Sequence, residues 1–318
     1  MSGGGSSRRR GVTVIGGVQA DVVISPVTEL PTAGATRLLD QMSIRVGGAG
    51  ANAALAFVET GLPVRLMGCV GEDRLGDWMR QELTEAGLLD ELAVLPGRAT
   101  GLTVALESEQ RDRTFLTHLG VNADWVPDMI PSDALECDSL LLCDYSVTPG
   151  LQGEAARSLL QATRGAGGRT FFDTAWDPDD FPPARREEVR ALLSAVDVFL
   201  PNEAEACAIA GAADGEVLEA ARILQRDCGG WVVGKLGARG CLAVGPGGAE
   251  LRASAHAVTV ADTTGAGDAF NAVLVSALSG GDDWPAALEA ATRFATEIVS
   301  RPSHDRWRPR LLDSTSAD

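Results

Sequence analysis

Histidine, tyrosine and closely paired cysteines are what this chain has least of. Its 318 residues include three histidines, one tyrosine and six cysteines, with aromatic residues at 5%. Zinc sites draw on histidine and on cysteines a few residues apart. Here no CxxC pair occurs, and only Cys137 and Cys143 are near neighbours, so a zinc centre is not expected. Scattered thiols of this kind usually serve as small buried hydrophobes under reducing conditions, which points to a cytoplasmic protein. Basic residues are also scarce: 27 Lys plus Arg against 44 Asp plus Glu give a formal net charge of −17. Affinity for nucleic acid or an anionic membrane needs a basic face, so neither partner is expected. A phosphorylated small molecule stays open, because a few backbone N–H groups can hold a phosphate locally. No run of eighteen apolar residues is present to cross a bilayer. The opening MSGGGSSRRR lacks the apolar segment of a secretory signal and reads as a disordered tail over residues 1–10, with a second tail at 313–318.

Glycine and a strand–helix alternation are what it has in quantity. Hydrophobic residues make up 45%, enough for a buried core, and 37 glycines imply many tight turns. Gly11–Gly17 reads as a buried first strand, with further strands at Val22–Ser25, Leu38–Val46 and Val64–Val70. Residues 48–60 read as an alanine-rich helix stopped by Gly61-Leu62-Pro63, and Asp77–Ala86 as a helix ending at Gly87. Later strands are expected at Leu140–Cys143, Thr170–Asp173, Val196–Leu200, Trp231–Gly234 and Cys241–Val244. Helices are expected at Gly153–Ala162, Arg185–Ser194 and Glu216–Asp227, with two long ones at about 266–279 and 285–300. This alternation predicts an α/β fold with a mostly parallel central sheet flanked by helices. The stretches near 18–46 and 97–120 do not follow it, and 101–118 read as a hairpin about Glu109–Asp112. They are assigned to a small separate sheet. No repeat or dividing linker is visible, so one domain is expected over residues 11–312.

The strongest chemical signal is Asp262-Thr263-Thr264-Gly265-Ala266-Gly267-Asp268, followed by Ala269-Phe270-Asn271-Ala272. A β-branched segment, Val258–Val260, leads into small residues that open onto an apolar helix. The first backbone N–H groups of such a helix are unpaired and aimed at one spot. Gly265 and Gly267 carry no side chain, so a phosphate can approach the backbone. The helix dipole favours the charge that builds during phosphoryl transfer. Asp268, in the first turn, can accept the proton of an attacking hydroxyl and fix its direction. The plainer reading, a capping carboxylate behind a glycine turn, suits a bare GxGD better than it suits this seven-residue string.

With these residues in view, the sequence resembles the ribokinase-like (PfkB) carbohydrate kinases. DTTGAGDAF is similar to that family's C-terminal signature. Gly47–Asn52, Gly61, Val70-Gly71-Glu72-Asp73 and Gly76 are similar to its N-terminal one. Pro201–Glu205 is similar to the NxxE element and Lys235–Gly240 to the nucleotide-side loop, in order, from about residue 11 to 300. The resemblance implies a three-layer ribokinase-like fold with a β-sheet lid from the 18–46 and 97–120 segments. It implies an ATP-dependent kinase that phosphorylates a hydroxyl of a sugar or sugar-like small molecule. Asp268 would be the catalytic base and the amides of Gly265, Ala266 and Gly267 the anion hole. Asp21, Gln19, Gly48 and Asn52 would contact the acceptor; Lys235, Gly237 and Asn202 would line the nucleotide. Asn202 and Glu205 would position Mg2+ through water, and Asp262 and Thr264 are candidate K+ ligands. A homodimer through the lid is implied as well. From the residues alone, Asn202 reads as a helix N-cap, Glu205 as a solvated helix residue and Lys235 as an exposed strand-end lysine. Asp21 then reads as a turn residue and Asn52 as a satisfied polar group inside a helix.

Several positions depart from the family pattern. Gln19 stands where asparagine is common, and Ala49 where lysine is. Val299–Ser303 lacks the Gly-Ala element that helps form a monovalent-cation loop. Phe171–Asp177 lacks the asparagine and arginine of FDxNxR, which counts against a fructokinase or a 2-keto-3-deoxygluconate kinase. Three competing readings remain. A nucleoside kinase of the same fold would need Trp125, Tyr145 or Trp176 as a platform for the base. A sugar- or nucleotide-sensing relative would have lost catalysis. An NAD(P) or FAD oxidoreductase would use Gly48–Ala53, which fits GxGxxA after a strand, although that fingerprint normally follows the first strand of a domain.

Overall fold

The computed structural model describes residues 11–24, 31–39, 42–108, 111–301 and 307; the expected tails and the hairpin tip at Glu109 and Gln110 lie outside them. The first half runs β1 (Val12–Ile15), β2 (Gln19–Ile24), β3 (Met42–Gly47), α1 (Ala49–Thr60), β4 (Val64–Met67), β5 (Cys69–Gly71), α2 (Arg74–Glu85), β6 (Ala93–Leu95), β7 (Gly101–Ser108) and β8 (Arg111–His118). The second half runs β9 (Ser139–Leu142), α3 (Glu154–Gly165), β10 (Arg169–Phe172), α4 (Pro183–Leu192), β11 (Val198–Phe199), α5 (Glu203–Ala210), α6 (Val217–Cys228), β12 (Trp231–Lys235), β13 (Cys241–Val244), β14 (Glu250–Ala253), α7 (Ala266–Gly280) and α8 (Trp284–Ser300).

The central sheet has the order β14-β13-β12-β11-β10-β9-β1-β4. Its strands from β4 to β12 are parallel, and β13 and β14 extend it as an antiparallel edge. Successive side chains alternate between two buried faces. Leu140, Leu142, Phe172 and Phe199 pack on one side with residues of α3 to α6, while Leu141, Phe171 and Val198 pack on the other with residues of α1, α7 and α8. Double burial is why these strands read as continuous apolar runs rather than as alternating ones. All six cysteines are free and buried.

The small sheet has the order β3-β2-β7-β8. Its ladder sets Asp21 opposite Arg45 and Thr103, so these share one face. Ile44, Val22, Val104 and Leu116 form a row on the other face.

Several elements differ from the sequence expectation, among them the strand expected at Leu38–Val46, which is seen from Met42 as β3 while Leu38 and Leu39 lie outside any strand. Val64–Val70 breaks at Gly68, where β4 leaves the central sheet and β5 pairs with β6 instead. A side chain at Gly68 would come within 2.5 Å of Val18 Cγ2, so the crossing needs glycine. Helix α2 starts at Arg74 because Asp73 caps it, accepting the Gly76 N–H at 2.8 Å. The β-branched segment at Val258 and Val260 that leads into the Asp262–Asp268 string is exposed and outside any strand.

Candidate active site

Neighbouring parallel strands deliver polar residues to one edge. Asp144 follows β9, Asp173 follows β10, Asn202 follows β11, and Lys235 ends β12. Helices α1, α5 and α7 begin at the same edge, turning the positive ends of their dipoles toward it. Crevices at the carboxyl ends of parallel strands are where open α/β sheets bind ligands. A separate cavity of about 320 Å³, lined by Asp138, Ser139, Arg169, Leu278 and Ser279, lies at the opposite, amino ends of β9 and β10.

The start of α7 forms one wall. Gly265, its N-cap, sits at φ 73°, a left-handed conformation that glycine adopts without strain. The Ala266 N–H makes a long 3.3 Å bond to Thr263 O, closing the turn. Asp268 lies in the first helical turn, and Asn52 of α1 donates to its Oδ2 at 3.0 Å. Loss of hydration, then the nearby Asp173 charge, pushes the Asp268 carboxyl up to about 7; Lys235 and the Asn52 hydrogen bond pull the other way.

Lys235 is the only lysine of the chain. Its ammonium sits 2.5 Å from Asp173 Oδ2 and 3.4 Å from Asn271 Oδ1, while Asn271 Nδ2 donates to the same Asp173 oxygen at 2.6 Å. A side chain on Gly267 would place its Cβ 3.5 Å from Lys235 Nζ, so this ammonium borders the glycine turn. Burial lowers the Lys235 pKa, but Asp173 and Glu205 outweigh it, and the group stays firmly charged. Lys235 is therefore an embedded ion-pair partner rather than an exposed strand end.

Asn202 and Glu205 form a reciprocal capping box at α5. Asn202 Oδ1 accepts the Glu205 N–H at 2.9 Å, and Glu205 Oε2 accepts the Asn202 N–H at 2.8 Å. The N-cap reading of Asn202 holds, but Glu205 is buried rather than solvated. Asn202 also bridges to Lys235, whose N–H donates to Pro201 O at 2.9 Å, which brings this element beside the ammonium. Burial, then the Asp173 charge, raises the Glu205 pKa.

A second cluster of polar residues is built from the small sheet and α1. Asp21 is buried, not a surface turn residue, and Gln19 Nε2 lies 3.5 Å from its Oδ1 and 2.7 Å from Thr103 Oγ1. Gly48 is needed at φ 88°, and a side chain there would strike Gly17 O at 2.3 Å. Asp144, in a left-handed conformation at φ 58°, accepts the Ala49 N–H at 2.7 Å and so caps α1 where Gly48 has no side chain to do it. Burial, then Asp268, pushes Asp144 up to about 8.

This carboxylate occupies the place a dinucleotide pyrophosphate would take, and β3 belongs to the small sheet. The GxGxxA match is therefore not a Rossmann fingerprint. Gly237 lies in an exposed turn beyond Lys235 and is not drawn into the cluster. Asp262 is brought close to the glycine turn, but its Oδ2 is taken by Arg45 at 2.8 Å and its Oδ1 by the Thr264 N–H at 2.8 Å. Trp125 and Tyr145 are core residues, leaving Trp176, 44% exposed, as the accessible aromatic of the three.

Sequence reasoning missed Asp144, Asp173 and Asn271. Asn271 could have been found from its spacing, three residues after Asp268 and hence on the same helical face. Asp173 and Asp144 carry no local motif; only the strand order brings them in.

A family model described as "pfkB family carbohydrate kinase" matches residues 10–307. The chain is 29% identical over 299 residues to the bifunctional protein HldE of Nitrobacter hamburgensis, covering 87% of this chain but 56% of that one. It thus spans little more than half the length of that relative. It is 30% identical over 253 residues to the aminoimidazole riboside kinase of Salmonella typhimurium, covering 77% of each. Among solved structures, Arabidopsis thaliana ribokinase complexed with ribose and ATP superposes with a TM-score of 0.78 at 24% identity, covering 94% of this chain and 98% of that one. A putative ribokinase II from E. coli, in complex with ATP and Mg2+, gives 0.78 at 20% identity, covering 91% and 92%.

Proposed function

Because the chain belongs to the pfkB family of carbohydrate kinases, we propose that it transfers the γ-phosphoryl group of ATP to a hydroxyl of a sugar or sugar-like small molecule, with Asp268 as the base. The observation that carries this reading is the joint placement of Asp268 and the Gly265–Gly267 turn at the start of α7, with Asn52 on the carboxylate and Lys235 beside Gly267. Phosphoryl transfer asks for an alcohol aimed at phosphorus and for stabilisation of the phosphoryl oxygens. A carboxyl that titrates near 7 is well matched to take the hydroxyl proton as the new P–O bond forms and the bond to the leaving nucleotide breaks. The turn amides, the α7 dipole and Lys235 supply positive potential on the other side of the transferred group. The long Ala266–Thr263 bond is weak enough to be exchanged for a phosphate oxygen.

Asp21, Gln19, Gly48 and Asn52 hold the acceptor in this reading, with Asp144 as a further carboxyl beside them. The polar face of the small sheet covers it and excludes water that would otherwise hydrolyse the nucleotide. Mg2+ fits on charge grounds: Asp173, Glu205 and Asp268 lie around a single ammonium, Lys235, and the phosphates of a bound nucleotide would add negative charge that this ammonium alone does not balance. No group of three or more carboxylate, histidine or cysteine side chains forms a metal cage among the described residues. A hydrated ion held by Glu205, Asn202 and the nucleotide's phosphates suits such a site, where it would neutralise phosphate charge.

The outer row of the small sheet, with Ile44 54% and Leu116 61% exposed, supports a homodimer formed through that face. No helix among the described residues is long and apolar enough to cross a membrane. Six free buried thiols fit the reducing cytoplasm.

The test is ADP release, coupled to a spectrophotometric readout, over pentoses, hexoses, sugar acids, polyols and nucleosides, with Asp268→Asn as control. Acceptor-dependent release that the variant abolishes is expected. Release confined to nucleosides would select the nucleoside-kinase reading, for which the exposed Trp176 is the one accessible platform among the three candidates. Ligand binding with no release from any acceptor would select the sensor reading and remove the kinase.

A further inference from the structure

We propose that Arg45 takes the place of a monovalent cation beside the glycine turn, so that phosphoryl transfer by this chain does not depend on K+. The inference rests on the kinase reading above for its activity readout, and on geometry for the rest. Asp262 and Thr264 are the sequence's candidate K+ ligands. Asp262 is buried, and both of its carboxylate oxygens are engaged: Oδ2 by Arg45 Nη1 at 2.8 Å, Oδ1 by the Thr264 N–H at 2.8 Å. The carbonyl of Val299, which begins the segment where a cation loop would close, accepts N–H groups from Ala261 at 2.8 Å and Asp262 at 3.2 Å. Two oxygens that a K+ ion would need are therefore already committed, and a fixed guanidinium stands against one of them. Arginine stays protonated at any working pH, so its charge is permanent. The Arg45 side chain is 15% exposed, which withdraws the pair from solvent screening. Its other terminal nitrogen, Nη2, is buried with no acceptor among the described residues, so the guanidinium retains donor capacity of its own.

Arg45 acts here as a positioning residue. It reaches from β3 of the small sheet to the loop that carries Gly265–Gly267 three residues later, and it sits opposite Asp21 in the β2–β3 ladder. Seating the acceptor-side sheet and ordering the glycine turn are thereby joined through one ion pair. Among the described residues, those beside the glycine turn do not fit a K+ ion as they stand.

The experiment uses the full chain, dialysed into tetramethylammonium salt, with K+ or Na+ exchanged in at constant ionic strength. Turnover and thermal midpoint are both recorded. The wild-type protein should show less than about a twofold change in kcat or KM among the three salts, and no K+-specific rise in midpoint. Arg45→Ala should lower kcat by about 10- to 100-fold, the usual range for a residue that orients a catalytic element, with a smaller effect on the ATP KM. Added guanidinium or K+ should restore part of that loss, and Arg45→Lys should retain part of the activity. A K+-specific rise in wild-type kcat or midpoint would overturn the proposal. So would a folded Arg45→Ala protein that neither cation rescues. If Arg45→Ala fails to fold, the wild-type salt series and Arg45→Lys decide. The midpoint series needs no turnover, so failure of the kinase reading and failure of this one are separately visible.

Discussion

Lys235 at the end of β12 reaches across β11 to Asp173 at the end of β10, closing to 2.5 Å and joining the edges of three parallel strands in one ion pair. Asn271 from α7 binds the same carboxylate oxygen, so a helix is tied to the sheet at that point. The side chains are 14% and 9% exposed. Breaking such a pair from one side strands a buried charge, which typically costs about 3–5 kcal/mol. Lys235→Met should therefore lower stability by about that amount, and Lys235→Met combined with Asp173→Asn should recover most of it. Urea unfolding of wild type, both single variants and the double variant tests this. Additive losses in the double variant would mean that the two side chains are not energetically coupled.

A chain with one lysine offers an unusually clean labelling test. An ATP analogue activated as an acyl phosphate transfers its acyl group to an amine that meets the phosphates, releasing the nucleotide. Peptide mapping should find Lys235 modified, and excess ATP should protect it. Labelling confined to the N-terminal amine would remove Lys235 from the nucleotide site.

Asp268 sets the pH profile of the proposed reaction. Its carboxyl is pushed up to about 7 and must be ionised to take a proton, so kcat/KM should rise with pH and level off above that value. Asn52 donates to the ionised form and lowers the pKa. Asn52→Ala should thus move the midpoint to higher pH. Asp268→Asn should lower turnover by about 10²- to 10⁴-fold while the protein stays folded. Unchanged turnover in that variant would remove the proposed base, and an Asn52→Ala midpoint shifted downward would contradict the hydrogen bond's direction.

The parts of this site that share a short stretch of sequence were legible in it. The Asp262–Asp268 string carries its own geometry, because glycines before an apolar helix fix where the amides and the carboxylate go. The N-cap role of Asn202 was legible for the same reason, since it is a contact between residues three apart, whereas the burial of Glu205 was not. Asp144 and Asp173 were not. Each is an ordinary acid after an apolar strand, and its importance arises only when β9 and β10 are placed between β1 and β11. The parallel sheet itself followed from the alternation of strands and helices. The Val64–Val70 break did not, because it depends on Val18 approaching Gly68 across sequence-distant elements.

Clustered buried carboxyls also set how stability responds to pH. Asp144 is raised to about 8 and Asp268 to about 7, mainly by burial, and Glu205 is raised by burial and Asp173. A carboxyl whose folded pKa lies above its unfolded one holds its proton longer in the native state. Its favourable contribution is complete below the unfolded value, about 4, and is lost as pH rises through the folded pKa. The ligand-free protein should therefore lose thermal stability as pH rises from about 4 to about 8. Asp268→Asn should flatten that fall and melt higher than wild type at the alkaline end. A wild-type midpoint that rises over this window would show that burial does not hold these carboxyls protonated in the folded state.

The small sheet's outer face gives the last prediction. Ile44 and Leu116 share a row with Val22 and Val104, and both ends of that row are more than half exposed. An apolar row of this kind on an otherwise strongly acidic protein is a surface that a second copy can cover, since two such faces are self-complementary about a twofold axis. The opposite face carries Asp21 and Arg45, so covering the apolar row leaves that polar face free. Ile44→Asp combined with Leu116→Glu places like charges on both partners in a desolvated contact and should convert a dimer to a monomer. Sedimentation velocity would read that conversion, and the Asp21 and Arg45 geometry should survive it as long as the sheet stays folded. A wild-type protein that sediments as a monomer at all accessible concentrations would show that this row is simply exposed.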